Sequence, residues 1–126
     1  VETSFGGRVF EKPLRSIVDG VEGGVAGLVM GFDGIAVESY SRDTSLADIT
    51  TVGMEFSALL SQVKRAAEIL EFGGIQEITI KAELLTLVVR VLSNEYFLAL
   101  LLRPDGNFGK GRYLLRVMAP KLQAEL

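Results

Sequence analysis

The stretch from Thr44 to Phe72, TSLADITTVGMEFSALLSQVKRAAEILEF, constrains the fold more than any other part of the chain. Apolar residues recur at Ile49, Val52, Phe56, Leu60, Val63, Ala67 and Leu70, a spacing of three and four that stacks side chains on one face of a helix. Thr44 or Ser45 is placed to cap the first turn, Asp48 suits the positive end of the helix dipole, and Gly73-Gly74 supplies positive φ beyond the last turn. One long helix over 44–72 is predicted. Beside its stripe lie Glu55, Leu59, Gln62, Ala66 and Ile69, which widen the apolar or lightly polar arc to roughly half the circumference. Covering one sheet takes less. Either the helix packs broadly on its own strands, or this second flank meets a partner; exposed apolar residues gathered in one patch favour the partner.

The 126 residues suffice for one core without staples, and 48% hydrophobic with 23% charged residues is a globular composition. Cysteine, histidine and tryptophan are absent. That removes disulfides, thiolate and imidazole metal ligands, Ser-His and Cys-His nucleophile pairs, and the commonest general base near neutral pH. A formal charge of −3 argues against a nucleic-acid backbone as partner. No secretory signal and no apolar run of membrane-spanning length is present, so a cytoplasmic protein without membrane insertion is the natural reading.

In chain order, residues 1–7 have no period and contain Gly6-Gly7, which reads as a loose leader before a single domain over 8–126. Val9, Phe10, Leu14, Ile17, Val18 and Val21 predict a short first helix over 8–21, with Pro13 near its start. The runs Val25 to Phe32 and Ile35 to Tyr40 flank Asp33-Gly34, the signal for a two-residue hairpin of type I′. After the long helix, Ile75 to Ala82 alternates as a half-buried strand, Leu84 to Leu92 and Tyr96 to Leu102 form a further hairpin, and Tyr96 to Leu102 is apolar enough to be central. Asn107 is placed to cap a last helix with Tyr113, Leu114, Val117, Met118 and Leu122 inward, which Pro120 should kink or end.

This order of elements, together with GLVMGFDGIAVES (Gly27 to Ser39), TSLADIT at the helix opening and RPDGNFGKGRYLLR (Arg103 to Arg116), resembles the roadblock family of dynein-light-chain-like modules, including its bacterial MglB-type members. Lys110 and Gly111 depart from the aliphatic residues many members carry there. The resemblance implies an α+β, profilin-like fold: a five-stranded antiparallel sheet in the order 2-1-5-4-3, the long helix on one face and two terminal helices on the other. It also implies a homodimer that pairs the strand at 75–82 and lays the long helices side by side, and a role in binding and regulating a small Ras-like GTPase. The alternative is a structural adaptor of a motor or signalling complex with no effect on nucleotide turnover.

The expected interface is Glu55, Leu59, Gln62, Ala66 and Ile69 with Ile78 and Ile80 of the edge strand, since a bare edge invites pairing. No catalytic, cofactor-binding or metal-ligating residue is expected, and a small-ligand sensor would need a convergent polar pocket that no motif marks. Among the basic residues Arg42, Lys64, Arg65, Arg103, Lys110, Arg112 and Arg116, Arg42 is the best placed to act near a nucleotide, although ordinary solvated charge explains all seven. Glu77, Glu83 and Glu95 lack the spacing of a calcium loop, and the glycines of VEGGVAGLVMG lack the GK[ST] ending of a phosphate loop.

Overall fold

The computed structural model describes the backbone from Glu2 to Leu126 and side chains from Val9 onward. Its elements are α1 (Glu2–Asp19), β1 (Gly24–Gly31), β2 (Ala36–Ser41), α2 (Ile49–Ile69), β3 (Glu77–Lys81), β4 (Thr86–Val91), β5 (Tyr96–Leu102) and α3 (Phe108–Ala124). The strands form one antiparallel sheet in the order β2-β1-β5-β4-β3, as expected, with β3 at an edge. Two core layers flank it. Phe10, Leu14, Ile17 and Val18 of α1 and Leu115, Ala119 and Leu122 of α3 pack on Val29, Val88, Leu98 and Leu100. On the opposite face Ile49 and Leu60 of α2 pack on Leu28, Met30, Val89, Phe97 and Ala99. Strands β1 and β5 therefore contribute side chains to both layers, which is why their sequences run apolar without alternation.

Several boundaries differ from the sequence reading, each for a local reason. Helix α1 starts at Glu2, so the stretch read as a leader is helical from there; Val1 lies outside the described residues. Pro13 consequently sits inside the helix, and Val21 lies beyond its end while still buried. The hairpin is not type I′. Gly34 takes φ 88° but Asp33 does not take positive φ; the Gly34 amide donates to the Gly31 carbonyl at 2.9 Å and the Asp33 carboxylate accepts from the Ile35 amide at 3.0 Å.

Helix α2 is shorter than 44–72 at both ends. Asp48, not Thr44 or Ser45, is the N-cap, accepting from the Thr50 amide at 3.1 Å and from the Thr51 hydroxyl at 3.1 Å. Ser45 is occupied elsewhere, donating from its amide and hydroxyl to Asp43. At the other end Glu71 takes the left-handed conformation, φ 60°, while the Phe72 amide donates to the Ala67 carbonyl at 2.8 Å and the Glu71 amide to the Glu68 carbonyl at 3.1 Å. That is a Schellman closure completed before Gly73 is reached.

Helix α3 is capped by Asn107 as expected, its side chain accepting from the Lys110 amide at 3.1 Å. Its inward face is Gly111, Leu115, Ala119 and Leu122, with Leu114 and Met118 partly buried; Tyr113 and Val117, expected inward, are 52% and 42% exposed. The glycine explains the rotation. A Cβ at residue 111 would stand 3.0 Å from Leu100 Cδ2 and 3.3 Å from Leu102 Cδ1, so Gly111 lets the helix lie close to β5 on that face. Pro120 does not end the helix, because the next turn carries Leu122 into the core.

Glu71 in the left-handed region gives a first prediction. Glu71→Gly removes the steric cost of φ 60° and should stabilise the protein by about 0.5 kcal/mol in urea unfolding, against no gain from Glu68→Gly inside the same helix.

Candidate functional site

The candidate site is the flank of α2 together with the β3 edge. What sets the roll of α2 is the small side of its buried face, Gly53 and Ser57. A Cβ at residue 53 would collide with Leu28 Cδ2 and stand 2.8 Å from Met30 Sδ, both side chains fully buried, so only glycine permits this approach to β1. On the same side Ser57 lies beside Gly34, and Lys64 reaches the β4–β5 turn, donating to the Asn94 carbonyl at 2.7 Å with its ammonium 3.7 Å from the Phe32 ring centroid. Those contacts tie one flank of α2 to the β1–β2 hairpin and the neighbouring turn.

At 3.6 residues per turn, Glu55, Leu59, Gln62, Ala66 and Ile69 lie roughly half a turn round from Lys64, away from the buried face of the helix. All five are exposed, Leu59 by 47% and Ile69 by 72%. Val52 and Phe56, partly buried against the core, separate this flank from the buried face. Two further exposed apolar residues follow it at the end of the helix. Leu70, assigned to the inward stripe, is 62% exposed because the helix closes there, and Phe72 just beyond is 77% exposed. Met54, also exposed, was not singled out.

Strand β3 pairs with β4 alone, Ile78 opposite Val89 and Ile80 opposite Leu87. Ile78 and Ile80 pack partly buried against the α2-side core, so their side chains share a layer with α2. Glu77 and Lys81 point to the other layer, where Glu77 accepts from Arg112 Nε at 2.7 Å and the Lys81 ammonium lies 4.3 Å from the Phe108 ring centroid. The structure thus gathers the seven expected interface residues on one layer of the molecule.

It does not bring Arg42 to them. Arg42 lines a polar recess of about 470 Å³ at the far end of the sheet, with Glu22, Gly23, Gly24, Asp43, Arg103 and Asp105. Within it Arg103 donates to Asp43 at 2.9 Å. The Ser45 hydroxyl and amide, with Arg103 nearby, hold the Asp43 carboxyl below the usual carboxylate range. Among the described residues no group of three or more acidic residues is arranged to hold a metal ion, and no helix is long and apolar enough to cross a membrane.

These features define a class: a small α+β module, profilin-like in topology, that exposes a helix flank and a strand edge on one layer. A crystal structure of MglC from Myxococcus xanthus is 47% identical, with 94% of this chain and 99% of that chain aligned and a TM-score of 0.69. The chain belongs to the same family, the roadblock-type modules. Two solved structures share the fold at 14% identity: the gliding protein MglB from Thermus thermophilus, TM-score 0.84 over 95% of this chain and 90% of that one, and a Roadblock/LC7 domain from Streptomyces avermitilis, TM-score 0.79 over 90% and 94%. No protein-family model and no curated protein matches the sequence.

The lowered Asp43 pKa fixes a pH dependence. A carboxyl whose folded pKa lies below its ordinary 3.8 stabilises the fold above that pH and loses the contribution as acid protonates it. Asp43→Asn should therefore be less stable than the wild type at neutral pH, with the gap closing below pH 3.8, as followed by thermal unfolding across pH.

Proposed function

We propose that this protein is a homodimeric roadblock module whose α2 flank and β3 edge form one seam, and that the dimer binds and regulates a small Ras-like GTPase in the cytoplasm. The observation that carries the reading is the exposed run Leu59, Ala66 and Ile69 on the layer that also holds Ile78 and Ile80 of β3, an edge strand paired on one side only. Exposed apolar residues on one layer together with an open strand edge favour association. Pairing two β3 strands would continue the sheet across the dimer and place the two α2 helices side by side, covering the patch. The identity with MglC supports assignment to a roadblock-type role rather than to an unrelated use of the profilin-like fold.

The composite α2 surface is the place where GTPase switch segments would rest. The module supplies no nucleophile or base; it acts by favouring one switch conformation, so its effect equals its differential affinity for the two nucleotide states. A module that binds both states equally shifts nothing and serves as an adaptor.

Leu59→Arg places a charge in the centre of the seam. Its mass in solution should fall to that of a monomer while its melting temperature changes by no more than a few degrees, because Leu59 is nearly half exposed in the single chain. A large loss of stability with the dimer intact would mean that α2 uses this flank for its own sheet. For the second half of the proposal, candidate Ras-like GTPases are titrated in the GTP and GDP forms and their turnover measured with and without the protein. Tighter binding to the GTP form with faster turnover is expected; tight binding with unchanged turnover identifies the adaptor, and no binding in either state ends the proposal.

A further inference from the structure

A second surface lies on the opposite layer, away from α2 and β3's isoleucines. Helix α3 holds four of the thirteen basic residues, Lys110, Arg112, Arg116 and Lys121, and none of the sixteen acidic ones, in a chain whose formal charge is −3. Their placement is ordered. At 3.6 residues per turn, Tyr113 and Val117 form the middle of the exposed face, Arg112 and Arg116 run along one side, and Lys110 and Lys121 along the other. Between the charged rows the remaining exposed positions are Gly109, Pro120 and Ala124, too small to cover the lane.

An outward helix face is ordinarily polar throughout. Here its centre carries Tyr113 and Val117, 52% and 42% exposed, whereas the described residues of neighbouring α1 include no exposed large apolar side chain. The arginine row is held in place: Arg112 is fixed by Glu77 at 2.7 Å and lies 5.5 Å from the Phe108 centroid, and the Arg116 guanidinium stands 5.6 Å from the Tyr113 centroid. Lys81 adds a cation on the same side. Side chains already ordered lose less entropy when they bind.

We propose that the outer face of α3 docks an acidic amphipathic helix of a partner protein, its apolar ridge on Tyr113 and Val117 and its carboxylates against Arg112 and Arg116 on one side and Lys110 and Lys121 on the other. Charge complementarity selects this occupant. An anionic membrane surface would need a broader apolar face than two side chains. Two parallel basic rows flanking an apolar lane match a helix, whose own flanking positions repeat every three and four residues. The surface is independent of the α2 seam and stands whether or not that seam forms a dimer.

The test uses two labelled helical peptides about five turns long, both with leucine along one stripe, one with glutamate and one with lysine at the flanking positions. Fluorescence anisotropy should show binding of the glutamate peptide only, weakening as salt rises. Arg116→Glu with Lys121→Glu should reduce that affinity at least about tenfold, and Tyr113→Ala with Val117→Ser should also reduce it, because both rows and the lane contribute. These positions are exposed, so unchanged melting curves check the fold, and Leu59→Arg should bind the peptide normally. Equal binding of both peptides, insensitivity to the charge reversals, or preference for phosphatidylserine vesicles over the glutamate peptide would overturn the proposal.

Discussion

The contact between Gly53 of α2 and the Leu28 and Met30 side chains of β1 is the constraint from which the rest of this surface follows. A helix laid on a sheet can roll about its axis, and the roll decides which flank faces water. With no side chain at residue 53 and only a hydroxymethyl at Ser57, α2 turns that side down onto the hairpin, and Lys64 fastens the next turns to Asn94 and Phe32. The opposite flank is then left with Leu59, Ala66 and Ile69 uncovered. Adding a methyl at residue 53 would favour the helix by about 1 kcal/mol in propensity, but overpacking two fully buried side chains costs about 1–3 kcal/mol, so close packing wins over propensity.

The same device recurs on the other layer. Gly111 brings α3 against Leu100 and Leu102, and the rotation that follows puts Tyr113 and Val117 outside. Both helices thus present apolar residues to solvent because a glycine, not a large apolar residue, occupies the point of closest approach. The two exposed surfaces lie on opposite faces of one sheet, and β1 and β5, buried on both sides, form the rigid layer between them.

The sequence made the topology readable because every strand was punctuated: Asp33-Gly34, Gly73-Gly74 and Ser93-Asn94 each fell between apolar runs, and β5 matched its expected bounds at both ends. The flank of α2 was readable too, since its width exceeded what one sheet requires. Turn geometry and helix roll were less so. Positive φ at Glu71 in addition to the expected Gly73, and a hairpin in which Asp33 stays out of that region, depend on which amides find partners first. Periodicity averages over apolar side chains and gives no weight to Gly53, Ser57 and Gly111, so the inward face of α3 was placed about a quarter to a third of a turn away from its true position. Glycines interrupting an apolar stripe were the available signal.

The central claim is that the α2 flank and the β3 edge close on a second copy. Amide hydrogen exchange measured on the wild-type protein over a range of concentrations addresses it at the bonds concerned. The β3 amides that do not pair with β4 should exchange freely in dilute solution and become protected as concentration rises, in step with those α2 residues whose side chains enter the seam. Edge amides of Glu77–Lys81 that exchange at the same rate at every concentration, while the mass in solution remains that of one chain, would contradict the account.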